Sequence, residues 1–373
     1  MTDHATPDAQ AISQTIAAAQ SAAVEDRLDA ERNQLTAEHS LIDPSHLVGT
    51  ELEVDYETDS ALDDDDSSVS TSIAASVVAG NWEMGRRYHG FESANYFLPN
   101  DEEEINRLEL QHRIWYIVFN GGLYLSPLEK DKLKNVLDIG CGTGAWAIDF
   151  ADTHPNCEVL GTDLSPIQPS KVPPNCSFMV DDAGKDWAFD RKFDYIHTRS
   201  ITSGIRDWDR FIEQAFENLT PGGWLELQEL HFPIECDDGT ATKDTPLMKW
   251  SYEIYDAAKK VGIDTLASFK HIERLRKTGF VKTEESYSKW PIGPWPKGRK
   301  EKKMGTMIAK DLADNLRGVS QKMLMQILGK SQEEFDTFIT QVRNDIFNPK
   351  IHIYIPIDIF WAQKPLESAT DIE

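Results

Sequence analysis

The run Val136-Leu137-Asp138-Ile139-Gly140-Cys141-Gly142-Thr143-Gly144 holds the residue types best suited to gripping a cofactor. Glycines at 140, 142 and 144 let a chain turn sharply out of a strand and approach a ligand closely. Spacing alone leaves two ligand classes open, because Gly140-x-Gly142-x-x-Ala145 also satisfies the dinucleotide fingerprint with Ala in its last position. Asp138 tips the balance. It precedes the first glycine by two residues, where a dinucleotide would set its anionic pyrophosphate near a helix N-terminus. A carboxylate there repels that group and favours a ligand with cationic centres.

Asp163 closes the run Val159-Leu160-Gly161-Thr162-Asp163, 19 residues past Gly144. That is close to the roughly 20 residues at which an acid grips ribose hydroxyls. Phe178-Met179-Val180 is followed by Asp181-Asp182-Ala183, where a carboxylate could accept an adenine amino group. Any one of these acids could be a turn residue or a helix cap. Acids at successive strand ends beside a glycine turn describe a nucleoside site. S-adenosylmethionine (SAM) fits it, with an ammonium, a sulfonium and no pyrophosphate. Leu219-Thr220-Pro221-Gly222-Gly223-Trp224 ends a helix and begins a strand, which is ordinary turn chemistry.

Candidates for acid–base work are fewer. His197 and Arg199 lie at the carboxyl end of an expected fourth strand, the edge where open α/β sheets bind ligands. His231 follows the fifth strand and is the second base candidate. For each histidine the competing reading is a hydrogen-bonded structural role. Asp207 reads equally as a helix N-cap or a substrate contact. Trp290 and Trp295, stiffened by Pro291, Pro294 and Pro296, suit the wall of a substrate pocket, as do Tyr252 and Tyr255; the competing reading is packed core. Lys297–Lys303 (KGRKEKK) reads as a solvated helix start before it reads as a nuclear signal. No metal site is expected.

The elements that must position these residues follow from periodicity. Strands are expected at Lys134–Gly140, Glu158–Thr162, Cys176–Val180, Phe193–Thr198 and Trp224–Glu229, with later ones at 280–290 and Ile351–Trp361. Helices between them imply a doubly wound, mostly parallel α/β sheet. Asn100 with Glu103 signals a helix start ahead of Ile105, Leu108, His112, Trp115 and Phe119, and Ser331 with Glu334 signals another. Beyond Leu230, helices at 245–262, 264–278, 299–329 and 332–346 form an insert.

The 373 residues carry a formal charge of −25, of which the first 70 hold −15, with 17 Asp/Glu against Arg27 and Arg32. That segment has one aromatic residue, Tyr56, and is expected to be a disordered acidic tail, with a transient helix over the Ala-rich 11–24 and order beginning near Ser72. The remaining −10 leaves no basic footprint for nucleic acid. Four cysteines without a CxxC pair suit a reducing compartment, and no run is apolar enough to cross a bilayer. A soluble protein of cytosol or nucleus is expected.

Taken together, VLDIGCGTG, Asp163, DDA at 181–183 and LTPGGWLELQE at 219–229 resemble the class I SAM-dependent methyltransferases over residues 130–230. MGRRYHGFESANYFLPNDEEEINRLELQH at 84–112, TDLSPIQPS at 162–170 and WPIGPWPKG at 290–298 resemble the fungal LaeA-like methyltransferases, over residues 72–365. The resemblance implies a Rossmann-like, seven-stranded sheet with an antiparallel last strand. It divides the chain into a tail (1–71), a helical segment over the cofactor (72–130), a SAM-binding domain (131–365, with substrate-lid helices in 231–350) and a short tail (366–373). It implies that Gly140, Gly142 and Gly144 line methionine and ribose with Asp138 nearby. Asp163 would hold the ribose diol, Leu164 would lie against adenine, and Asp182 with Ala183 would close the adenine edge. Tyr88 and Tyr96 would fold over the cofactor, and Cys141, Thr143, Asp181 and Arg199 complete the expected contacts. The family includes tailoring enzymes acting on small secondary metabolites and nuclear regulators of secondary metabolism. Some members pair with velvet-type partners or other methyltransferases. The resemblance leaves the acceptor open.

Overall fold

The computed structural model of the chain describes residues 80–90 and 96–366. The acidic tail, the 11–24 helix and the expected start of order near Ser72 lie outside the described residues, as do 367–373.

A short hairpin, β1 (Asn81–Glu83) and β2 (Arg86–Tyr88), precedes helix α1 (Glu102–Val118). The helix cap is Asp101 rather than Asn100. The Asp101 carboxylate accepts the Glu104 N–H at 3.2 Å and is gripped by both arms of Arg86, so one acid caps the helix and ties down the hairpin. Asn100 turns instead to the Ser165 hydroxyl.

The central sheet contains β3 (Asn135–Ile139), β4 (Glu158–Asp163), β5 (Cys176–Val180), β6 (Phe193–Arg199), β7 (Leu219–Leu230), β9 (Val281–Pro291) and β10 (Ile353–Gln363), with the two-residue β8 (Glu235–Cys236) beside the start of β10. The order β5-β4-β3-β6-β7-β10-β9 is parallel from β5 to β7, and β10 runs against both of its neighbours. Strand β9 therefore points with the parallel five, and β10 alone is reversed among these seven. In register, Asp138 of β3 faces Gly161 of β4 and His197 of β6. Side chains alternate along a strand, so Asp138, His197 and Asp163 all lie on one face.

That face also carries Val136, Val159 and Tyr195 and is covered by α2 (Ala145–Thr153), through Trp146 and Phe150. The other face carries Leu137, Ile139, Ile196 and Leu225 and is covered by α3 (Trp208–Asn218) and α5 (His271–Thr278). Asp207 caps α3 by accepting the Arg210 N–H. A separate core lies under the insert: α4 (Pro246–Lys260), α6 (Arg299–Gln321), a π-helical turn at Lys322–Ile327, and α7 (Gln332–Ile346), packed on Trp115 of α1 and Trp290 of β9. Ser331 and Glu334 form the expected capping box on α7.

The reversed strand is fastened by charge as well as by its ladder. Asp358 of β10 accepts from His231 Nδ1 at 2.9 Å and from the Ser268 hydroxyl at 2.7 Å. Burial alone would pull the His231 pKa down, but Asp358 and Glu235 override it and push it up to about 9. His231 is therefore an imidazolium in the fold. A raised histidine pKa stabilises fully below the unfolded value near 6.5, and the contribution disappears as pH rises through about 9. The wild-type melting temperature should accordingly step down across that pH. His231→Gln should start lower, by about 3 kcal/mol of stability, and lack the step. Melts scanned from acid to alkaline pH check this. A second test concerns Gly144, which has φ +81°, and where a Cβ would meet Phe178 Cζ at 2.3 Å. Gly144→Ala should cost about 2–4 kcal/mol, read from the urea unfolding midpoint.

Candidate active site

A cavity of about 300 Å³ opens at the carboxyl ends of β3 to β7 and runs beneath α1 and the insert. Its floor begins at the glycine turn. Gly140 has φ +68°, and a Cβ there would strike Ile201 at 2.4 Å, so the turn admits no larger residue without movement. The loop is then clamped: Gly142 N–H donates to Asp163 Oδ2 and Ser165 N–H to Asp163 Oδ1, each at 2.9 Å, and Gln168 Nε2 donates to the Gly142 carbonyl. Burial pushes the Asp163 pKa up to about 6, and the two N–H donors oppose it. Each of its oxygens keeps a lone pair for a further donor.

Gly140, Gly142, Asp163, Leu164, Asp181, Asp182 and Ala183 all line this cavity, and Tyr96 and Arg199 reach it from other sides. The geometry suits a nucleoside: a backbone floor at the glycines, a carboxylate at the end of β4 and a second pair just beyond β5. Arg199 is held rather than free. It donates to Gln228 and to His112 Nδ1, lies 4.9 Å over the Trp115 ring, and burial lowers its pKa to about 10.

Other expected contacts do not reach the cavity. Cys141 and Thr143 are not in the lining, and Gly144 packs against Phe178 instead. Tyr88 is buried beneath Lys322, whose Nζ sits 3.4 Å from its ring. Asp138 lies below the loop and accepts from His197 Nδ1 at 2.7 Å; its second oxygen is buried without a partner. His197 is fully buried and stacked on Trp146 at 3.8 Å, and burial lowers its pKa against the pull of Asp138. It orients Asp138 and has no open path to a substrate. His231 is also outside the lining, as the imidazolium described above.

In the insert, Trp290 lines the cavity and packs edge-on against Trp115. Trp295 does not: it donates to the Ile353 carbonyl and stacks on His352. Tyr252 and Tyr255 also miss, while Trp250, Ile254 and Ala258 of the same helix α4 supply the wall at four-residue spacing. Sequence reasoning overlooked four of the cavity's titratable groups, Glu104, Arg107, Glu229 and Asp311. Glu229, at the end of β7, accepts from the Thr202 hydroxyl at 2.7 Å and weakly from the Ile201 and Thr202 N–H groups; burial pushes its pKa up to about 7. Its place at a strand's carboxyl end was the available signal. Glu104, Arg107 and Asp311 form a second polar corner.

Residues 110–285 match the family model for a methyltransferase domain. The chain is 36% identical over 316 residues to methyltransferase pytC of Aspergillus terreus, covering 84% of this chain and 96% of that protein. It is 32% identical to the secondary metabolism regulator LAE1 of Cochliobolus heterostrophus, over 76% of this chain and 94% of that one. It is 31% identical to the protein-methionine methyltransferase laeA of Emericella nidulans, over 76% of each chain. SAM is the cofactor this family uses, and the glycine turn with its carboxylates is a site that fits it. The chain belongs to the LaeA-like family of class I SAM-dependent methyltransferases.

Proposed function

We propose that the chain transfers the methyl group of SAM to a small, largely apolar secondary metabolite, working in cytosol or nucleus. The observation that carries the reading is one continuous cavity lined by Asp163 and Asp182 as well as by Trp250, Trp290 and Ile308. A nucleoside and an apolar acceptor can lie in it together, and a shared dry cavity is what in-line transfer requires.

In this reading Asp163 takes the ribose hydroxyls, Leu164 lies along the adenine, and Asp182 with Ala183 bounds its edge. Gly140 and Gly142 let the backbone close on the ligand, and Tyr96 covers it. Arg199 holds α1 over the site through His112, which donates in turn to Asp149. Bound SAM supplies an electrophilic methyl group on a sulfonium. Glu229 takes the proton released by the acceptor's hydroxyl or N–H group, because it is a cavity carboxyl poised near neutrality. His197 and His231 support from beneath and behind.

A second reading, a SAM-binding nuclear regulator acting through protein partners of the velvet or methyltransferase type, is favoured by the regulators among the relatives. A deletion strain carrying Asp163→Ala separates the two: loss of a metabolite mass heavier by one CH₂ supports the first, and full biological output from that variant supports the second.

Asp163→Ala should weaken SAM binding about 10- to 100-fold in a calorimetric titration, with no saturable heat from NAD in the wild type. Glu229→Gln should lower kcat about 100-fold on the acceptor identified from those extracts, with SAM affinity held within about twofold.

A further inference from the structure

Resting on the placement of SAM just proposed, we infer that Arg199 is the residue that binds the cofactor's α-carboxylate, at the carboxyl end of β6. The order of the strands gives the direction. Asp182 follows β5, Asp163 ends β4, the glycine turn follows β3, and β6 is the next strand across. A nucleoside laid with adenine at Asp182 and ribose at Asp163 therefore runs its amino-acid arm past the glycines towards β6. Three interstrand steps of about 4.8 Å, roughly 14 Å in all, are within reach of SAM with that arm extended. Arg199 stands where the arm ends. Ile139 is level with Thr198 in the parallel register, so Arg199 leaves β6 as Gly140 leaves β3. Alternation puts its side chain on the face of Asp138, His197 and Asp163, and it lines the cavity.

The charge on Arg199 meets no carboxylate in contact. Its hydrogen bonds go to uncharged acceptors: Nε to Gln228 Oε1 at 2.7 Å, Nη1 to His112 Nδ1 at 3.1 Å and Nη2 to the Leu123 carbonyl at 3.4 Å. A guanidinium has five N–H bonds, so one on each terminal nitrogen remains for a further acceptor. Burial lowers its pKa to about 10, against the more distant pull of Asp138 and Glu226, so the group stays charged at neutral pH. Such a buried cation is costly alone and is stabilised when an anion arrives. The other cation of the lining is already engaged: Arg107 grips Glu104 with two hydrogen bonds, at 2.8 and 2.9 Å, and has Asp311 at 3.7 Å. SAM brings one carboxylate, and Arg199 is the lining cation left to receive it. The guanidinium is also held close to the turn. Its partner His112 lies one helical turn along α1 from Leu108, whose Cδ1 is 3.3 Å from where a Cβ on Gly142 would be.

The test titrates SAM and decarboxylated SAM, which differ only in that carboxylate, calorimetrically into the full chain. SAM should bind at least about tenfold tighter than the decarboxylated form. Arg199→Gln should weaken SAM at least about tenfold and the decarboxylated form less than about twofold. Arg199→Lys, which keeps the charge but loses the fork, should show an intermediate loss confined to SAM, and it carries the test if the Gln variant does not fold. Equal losses for both ligands mark a merely structural role and overturn the proposal. A preference that survives Arg199→Gln, or that vanishes instead in Arg107→Gln, puts the carboxylate elsewhere and overturns it too. Asp163→Ala, acting on the ribose both ligands share, should weaken both alike; if it weakens neither, the ribose placement fails and takes the proposal with it.

Discussion

The carboxylate of Asp163 is the constraint on which the rest of the site depends. It is buried, so its charge needs donors, and it finds them in the N–H groups of Gly142 and Ser165. Those groups belong to two loops, one leaving β3 and one leaving β4. A single acid thus sets the spacing between the glycine turn and the loop that carries Leu164. The clamp requires Gly142 to present its N–H inward, which its positive φ of 56° allows. The same loop then fixes Gln168 and, through Ser165, Asn100 just ahead of α1. Sheet, turn and covering helix are one hydrogen-bonded unit, with the Asp163 carboxylate held in place at the cavity wall.

The sheet was legible because its signals are local. Buried parallel strands read as continuous apolar runs, and the order of helices and strands leaves few topologies. The place of Asp163, Asp182, Gly140 and Gly142 in the cavity lining was legible because strand-end chemistry follows from that topology. What resisted was phase. Helix α4 was recognised, yet the cavity takes Trp250 and Ile254 rather than Tyr252 and Tyr255, a rotation that composition does not encode. Trp290 and Trp295 sit in one aromatic segment, but the β9–β10 ladder turns only the first toward the cavity. Asn100 and Asp101 are both good caps, and Arg86 decides between them from a hairpin 15 residues away.

Pairings across the insert were out of reach for a deeper reason. Arg107 and Asp311 are separated by some two hundred positions, and nothing local to either predicts the other. Glu104 and Arg107 lie three apart on one helix face, which reads from sequence as a solvated pair. In the fold that face is turned inward, beneath α6, so an ordinary surface pattern becomes a buried one. The acidic composition was read as −15 in the first 70 residues and −10 beyond them; of the six carboxyl side chains that line the cavity, Asp163, Asp181 and Asp182 were named from sequence and Glu104, Glu229 and Asp311 were not.

The histidines show why residue type is a poor guide to acid–base role. His197, His231 and His271 are all buried, and desolvation pulls each toward the neutral form. Their partners then separate them. His271 has Arg274 nearby, which adds to desolvation, and its pKa falls well below the ordinary value. His197 has Asp138 and Glu226 to raise it, but desolvation, with Arg199 adding to it, prevails and it stays lowered. His231 has Asp358 and Glu235 together and crosses to the charged side. His197 is therefore held toward the neutral form, His231 toward the charged form up to about pH 9, and His271 is a packed ring, and none sits in the cavity lining. Burial has the opposite sign for a carboxyl: it raises Asp163, Glu229 and Asp311 into the range near neutrality, where proton transfer is efficient.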